Sequence, residues 1–289
     1  MEYTGERIGF EAIAVKERRG GLDLPFLALT LTLLTIGVVM VLSASYARAY
    51  YSAATDHNAA YYFMRQLGFA LAGVAAMYLL SLLPMQFYRR MSLMVLLGAI
   101  GLLTLVPFIG VSQGDAKRWI DLGFTTFQPS EIAKIGIILY FAALICKFRG
   151  RMKTVKYGIL PFAGVLLVEV ALLVMEPHFS AAIIIIAIGA VMLFLGGVRL
   201  YWFVGALAIA AVGLGVIITF FPYASGRITT WLDPFANTSG DGYQIIQSLY
   251  AIGSGGLFGL GLGQGRQKYL YLPEEHNDFI FPVVCEELG

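Results

Sequence analysis

Leu24–Ser45 reads LPFLALTLTLLTIGVVMVLSAS, 22 residues without a charged side chain. A bilayer core about 30 Å thick is crossed by roughly 20 apolar residues in a helix, so this stretch is long enough to span it. In lipid the backbone must satisfy its own polar groups, which makes the stretch a helix. Further along the chain, Leu67–Leu83, Met91–Gly110, Ile132–Cys146, Gly158–Met175, Phe179–Gly197 and Tyr201–Phe221 qualify or nearly so. An eighth begins near Phe279 with FIFPVVCEELG and stops. Its helical rise of about 16 Å is half of what a span needs, so the chain is expected to break off inside a helix.

Composition agrees. Of 289 residues, 58% are hydrophobic and 13% charged, with a mean hydropathy of +0.77. Soluble domains carry about 25% charged residues. The expected fold is therefore an all-α polytopic membrane protein. A net charge of +2 is too small to point to nucleic acid. Cys146 and Cys285 make no disulfide framework, and with the scattered His57, His178 and His276 they make no metal-ligand spacing.

Lysines and arginines set the expected orientation. They are frequent in residues 1–23, after span two (Arg89, Arg90), after span four (Lys147, Arg149, Arg151, Lys153, Lys156) and after span six (Arg199). The alternate connections are sparse. Residues 1–23 are thus expected in the cytoplasm, with residues 24–289 forming the membrane domain. The Asp115–Ser130 loop and the long 222–278 segment then face outward.

Those two outward segments hold most of the unusual residues. GSGGLFGLGLGQG has no G-x-G-x-x-G register and no Gly-Lys-Ser/Thr, so no nucleotide is expected. Gly255, Gly259 and Gly263 recur every fourth residue and would form a smooth face in a helix. In QPSEIAK, Pro129 suits the first turn of a helix, and Glu131 and Lys134 share one face. They read either as an anchoring ion pair or as a polar cavity wall. Arg118 beside Trp119 suits gripping a phosphate and stacking on a sugar, or anchoring at the interface. Arg227, Arg266 and Lys268 add outward cations that an anionic headgroup would explain. Asp278 lies where polar loop meets apolar helix, which favours either a partly desolvated proton acceptor or a helix cap.

RWIDLGFTTFQPSEIAK, WLDPF…GYQIIQSLYAIGSGGLFGLGLGQGRQKYLYLPE and HNDFIF…EELG resemble the SEDS family of shape, elongation, division and sporulation proteins, with its FtsW/SpoVE branch favoured over RodA. The resemblance implies a ten-span bundle, of which seven spans and the start of the eighth are present. It implies a peptidoglycan glycosyltransferase that polymerises lipid II at the outer face of the bacterial cytoplasmic membrane. The implied partner is a class B penicillin-binding protein, within the divisome or elongasome. Asp278 falls on the family's catalytic carboxylate, and Arg118, Trp119, Glu131, Lys134, Arg227 and Gln247 on substrate-binding positions. A divalent cation, Mg2+ or Mn2+, would help neutralise the departing pyrophosphate. Without the remaining spans, the chain by itself is expected to be inactive. One departure stands out, Glu176-Pro177-His178-Phe179-Ser180 where the family often has Gln-Pro-Asp-Leu-Gly. A lipid II flippase is the alternative, although it would need polar groups at mid-membrane depth.

Overall fold

The computed structural model describes residues 21–113, 116–123, 125–208, 215, 226, 229–238, 240 and 242–289. Two compact units result: one joins the chain up to Ala75 with the chain from Arg227 onward, and the other is Ala76–Gly226.

In the first unit, α1 covers Leu24–Tyr51. Asp23 caps it by accepting the Phe26 N–H at 3.1 Å. Its 28 residues rise about 42 Å, enough to cross the bilayer core and emerge beyond it. Buried Met40 and Ala44 of α1 pack with Leu272 and Val283 in a small apolar core. Helix α2, Tyr61–Ser81, has no buried residue, as expected of a helix whose solvent is lipid.

The second unit is built around α3 (Met85–Ile109) and α4 (Pro129–Lys147). Leu96, Ala99, Leu103 and Val106 form the buried stripe of α3 and face Ala133, Ile137 and Phe141 of α4. Gly136 brings the backbones close, since a Cβ there would lie 3.2 Å from Leu96 Cα. Small residues at such a contact let helices pack where lipid offers no hydrophobic driving force. Short α5 (Val155–Gly158) leads into α6 (Leu160–Met175), and α7 (Phe179–Leu195) follows. Phe141 and Phe162, both fully buried, meet edge to face at 4.8 Å.

Among the described residues, five segments are long and apolar enough to cross a membrane: α1, α2, α3, α4 and Val155–Met175. The expected sixth span is α7, apolar but shorter at 17 residues. Residues 200–208 are helical, and most of the rest of the expected seventh span lies outside the described residues.

Several boundaries shift. α2 begins at Tyr61 rather than Leu67, and α3 at Met85 rather than Met91. Arg89 and Arg90 therefore sit inside the first turns of α3, because a helix end at the interface tolerates charge that a hydropathy window rejects. The Asp115–Ser130 loop is largely a small antiparallel sheet. β1 (Val111–Gln113) pairs with β2 (Ala116–Asp121), which pairs with β3 (Thr126–Phe127). The long 222–278 segment holds a 3-10 turn at Pro234–Asn237 and α8 at Tyr243–Gly255. The start of the expected eighth span is α9, Ile280–Leu288.

Candidate functional site

The second unit gathers a polar cluster at the N-terminus of α4. Pro129 occupies its first turn, and the two charges spaced three apart meet as predicted. Lys134 Nζ lies 2.8 Å from Glu131 Oε2. Arg118 and Trp119 sit on β2, with Trp119 paired to Val111, and both are half-buried.

Arg118 reaches the departing segment. Its Nη2 donates to the Pro177 carbonyl. The residues flanking that proline join the cluster: Glu176 is buried, and Gln128 Nε2 approaches His178 Nε2 at 3.4 Å. Burial pushes the Glu176 carboxyl up to about 7, with the Arg118 charge opposing it. Burial also lowers His178, as do Arg118 and Lys134, while Glu131 works the other way. Arg118 Nε, Glu176 Oε1, His178 Nδ1 and Ser130 Oγ are buried with no hydrogen-bond partner. Such atoms are costly to leave unpaired, so this end of the unit can accept polar groups from a ligand. Glu169, midway along α6, is fully buried with both carboxylate oxygens unpartnered.

In the first unit, Asp278 is exposed. The expected desolvation is absent: Phe279, the next residue, packs against the small apolar core, while the Asp278 side chain stays exposed. Nor is it the helix cap: Phe279 occupies that position, with no side-chain cap bond. The turn is tight. The Glu274 carbonyl accepts both the Asn277 and Phe279 N–H groups at 3.1 Å, and Asn277 Nδ2 donates to Glu274 Oε2 at 3.0 Å. Gln247 is half-buried on α8, while its neighbour Gln244 donates to the Pro273 carbonyl at 3.1 Å. Arg227 lies outside the described residues.

The glycine run has a different purpose from the helical face expected of it. α8 ends at Gly255, and Gly256, Gly259, Gly261 and Gly263 all take positive φ. The resulting loop wraps Glu286 and Glu287 of α9. Gly263 N–H donates to Glu287 Oε2 at 2.9 Å, and Arg266 N–H donates to Glu286 Oε1 at 2.9 Å. A Cβ at Gly265 would meet both carboxylates at 3.0 Å. Lys268, expected as an outward cation for a headgroup, is instead buried, with Nζ 2.7 Å from Glu287 Oε1 and 2.9 Å from Ser43 Oγ. A buried lysine is held by the nearest carboxylate, since an unpaired charge there would be far costlier. Arg266 remains exposed.

Sequence reasoning also missed Arg48 and Glu275, which pair on α1 and the turn before Asp278. The available signal was ionisable residues next to apolar runs: Arg48 at the end of one span, and Glu286-Glu287 inside another.

The family model described as a cell cycle protein, FtsW/RodA/SpoVE, matches residues 24–289. The chain is 38% identical over 270 residues to the protein named "Probable peptidoglycan glycosyltransferase FtsW" of Pseudomonas fluorescens, covering 93% of this chain and 66% of that one. It is 37% identical over 269 residues to stage V sporulation protein E of Bacillus subtilis, covering 92% and 73%. A chain from a solved peptidoglycan synthase complex, described as coordinating polymerization and crosslinking, superposes with a TM-score of 0.70 at 25% identity, over 93% of this chain and 72% of that one. The rod shape determining protein RodA of Thermus thermophilus shares the fold, with a TM-score of 0.50 at 24% identity over 66% of this chain and 60% of its own. The chain thus spans about two thirds to three quarters of the curated relatives named here, and it belongs to the FtsW/RodA/SpoVE family of polytopic cell-cycle membrane proteins.

Proposed function

We propose that the protein is a peptidoglycan glycosyltransferase that polymerises lipid II into glycan strands, with Asp278 as general base. The similarity to relatives bearing that name supports the activity. The observation that carries the role of Asp278 is its setting: an exposed carboxylate, not engaged in capping, on a tight turn at the mouth of α9. A sugar 4-hydroxyl is a poor nucleophile until a base takes its proton, and such help is typically worth about 10²–10⁴-fold. Attack opposite the undecaprenyl pyrophosphate inverts the anomeric configuration through an oxocarbenium-like state.

Negative charge grows on the leaving pyrophosphate. Arg118 and Lys134 are the described cations suited to it, and Arg227 is assigned the same role from the sequence. Trp119 supplies an aromatic face for a sugar, and Glu131 holds Lys134 in place. Gln247 is assigned to the substrate as a hydrogen-bonding amide. Among the described residues no three His, Cys, Asp or Glu side chains gather to hold a metal ion. A Mg2+ or Mn2+ ion would then be held largely by the pyrophosphate oxygens and would help neutralise the charge on the leaving group, and the steps above use none.

The charge pattern supports a cytoplasmic N-terminus in the bacterial cytoplasmic membrane, with Asp278 and the α4 N-terminus on the outer side. The proposed role is wall synthesis in cell division or a related process, in keeping with a family described as cell cycle proteins. A class B penicillin-binding protein is the proposed partner, in keeping with the similarity to a chain from a synthase complex. Against a flippase, the names of the similar proteins specify a glycosyltransferase, and the mid-helix carboxylate Glu169 is fully buried.

The test is reconstitution of the full-length protein with its penicillin-binding partner, whose own glycosyltransferase activity is absent, in vesicles with labelled lipid II. Glycan strands are the expected product. Movement of lipid II across the bilayer without any polymer would overturn the proposal in favour of a transporter.

A further inference from the structure

We propose that Arg48 is a positioning residue for Asp278, acting through the buried carboxylate of Glu275. The inference rests on the reading of Asp278 as the base.

The geometry begins on α1, whose last turn carries Arg48. Its guanidinium grips Glu275 as a fork, Nε to Oε1 at 2.9 Å and Nη2 to Oε2 at 3.0 Å. Glu275 is fully buried, and Arg48 Nη1 also lies 3.7 Å from Glu274 Oε1. A bidentate pair fixes orientation as well as distance, which a lysine cannot reproduce. Glu274 has φ +54, and its carbonyl ties down the N–H groups of Asn277 and Phe279. Those are the two residues on either side of Asp278. Arg48 thus holds the acids that start the turn, and the turn holds the backbone flanking the base.

A second brace comes from α2. The His276 ring packs on Tyr62 with centroids 4.5 Å apart, and its Nδ1 lies 3.9 Å from Glu275 Oε1. The Asp278 side chain itself is exposed, with no described partner. Its aim is therefore set by the backbone beneath it. A misplacement of about 1 Å can cost on the order of 10²-fold in rate, so a reaction that uses this carboxylate is sensitive to the clamp.

A purely structural ion pair would lower the amount of folded protein. A positioning pair lowers turnover in protein that is folded and loaded. The experiment uses the full-length protein with its penicillin-binding partner and labelled lipid II, comparing Arg48→Gln, Arg48→Lys, Glu275→Gln, the Arg48→Gln/Glu275→Gln double variant and Asp278→Ala. Turnover is expressed per lipid II-binding site titrated in the same preparation.

Arg48→Gln and Glu275→Gln are expected to lower turnover per site by about 10–100-fold with KM within about twofold of wild type. Arg48→Lys, which keeps the charge but loses the fork, should fall between, and it carries the test if the glutamine variants do not fold. The double variant should be no worse than the poorer single one, because both remove the same contact. Turnover per site within twofold of wild type in Arg48→Gln and Glu275→Gln, or in Arg48→Lys when it alone folds, would overturn the positioning role while Asp278→Ala stays at least about 100-fold slower. Wild-type turnover in Asp278→Ala would instead remove the base on which the inference rests.

Discussion

Lys268 Nζ lies 2.7 Å from Glu287 Oε1 with both side chains buried, and Ser43 of α1 hydrogen-bonds to both partners. This triad ties the glycine loop, α9 and α1 together. Removing Lys268 or Glu287 leaves the other charge buried and unpaired, at a cost of about 3–5 kcal/mol. Lys268→Met and Glu287→Gln should each lower the melting temperature of the detergent-solubilised protein markedly. The double Lys268→Met/Glu287→Met variant should lose less than the sum of Lys268→Met and Glu287→Met. Additive losses would mean that the two side chains do not depend on one another.

The glycine loop predicts a contrast between two alanines. Gly259 takes φ +70, and a Cβ there would lie 2.2 Å from the Glu287 carbonyl oxygen. Gly259→Ala should cost at least about 2 kcal/mol, from backbone strain and displaced α9. Gly253, inside α8, has open space around its Cα. Gly253→Ala should stabilise by roughly 0.5–1 kcal/mol through helix propensity alone. Thermal melts of the two variants check both signs.

Glu176 gives a pH dependence. Its folded pKa of about 7 exceeds the ordinary 4.5, with burial the main cause. The folded protein therefore holds this proton more tightly than the unfolded chain. The resulting stability is full below about pH 4.5, declines as pH rises, and is lost above about 7. The swing is on the order of 3 kcal/mol. Glu176→Gln should flatten that part of the stability curve between pH 5 and 7.5. Identical curves for variant and wild type would show that the Glu176 carboxyl ionises as easily folded as unfolded.

Lys134 separates binding from folding. Its partner Glu131 is more than half exposed, and exposed pairs of this kind contribute at most about 1 kcal/mol. Lys134→Ala should leave the melting temperature nearly unchanged. Its affinity for lipid II should drop about tenfold, the equivalent of one charge-assisted hydrogen bond. Unchanged affinity would make the pair an anchor for the end of α4.

Much of this was legible in the sequence. Apolar length located the spans, and the Glu131–Lys134 contact followed from helical spacing. The hairpin of β1 and β2 was not legible, because strands this short are specified by pairing across the turn rather than by alternating apolar residues. The partners of Lys268 and Arg48 were hidden for another reason. Arg48 and Glu275 are 227 positions apart, and nothing local at either residue names the other. The Glu176-Pro177-His178 segment carries no local sign of its partner, because the Arg118 that bonds the carbonyl at its centre is 59 positions away. Asp278 could be read as a base or a cap, and the fold removes the cap by placing Phe279 there.

The most direct test of the central claim is strand synthesis from labelled lipid II by the full-length protein and its partner, with Asp278→Ala and Asp278→Asn beside wild type. Both variants should still bind lipid II and make polymer at a rate about 10²–10⁴-fold lower. Polymerisation at the wild-type rate by either variant would contradict the assignment of Asp278 as the base.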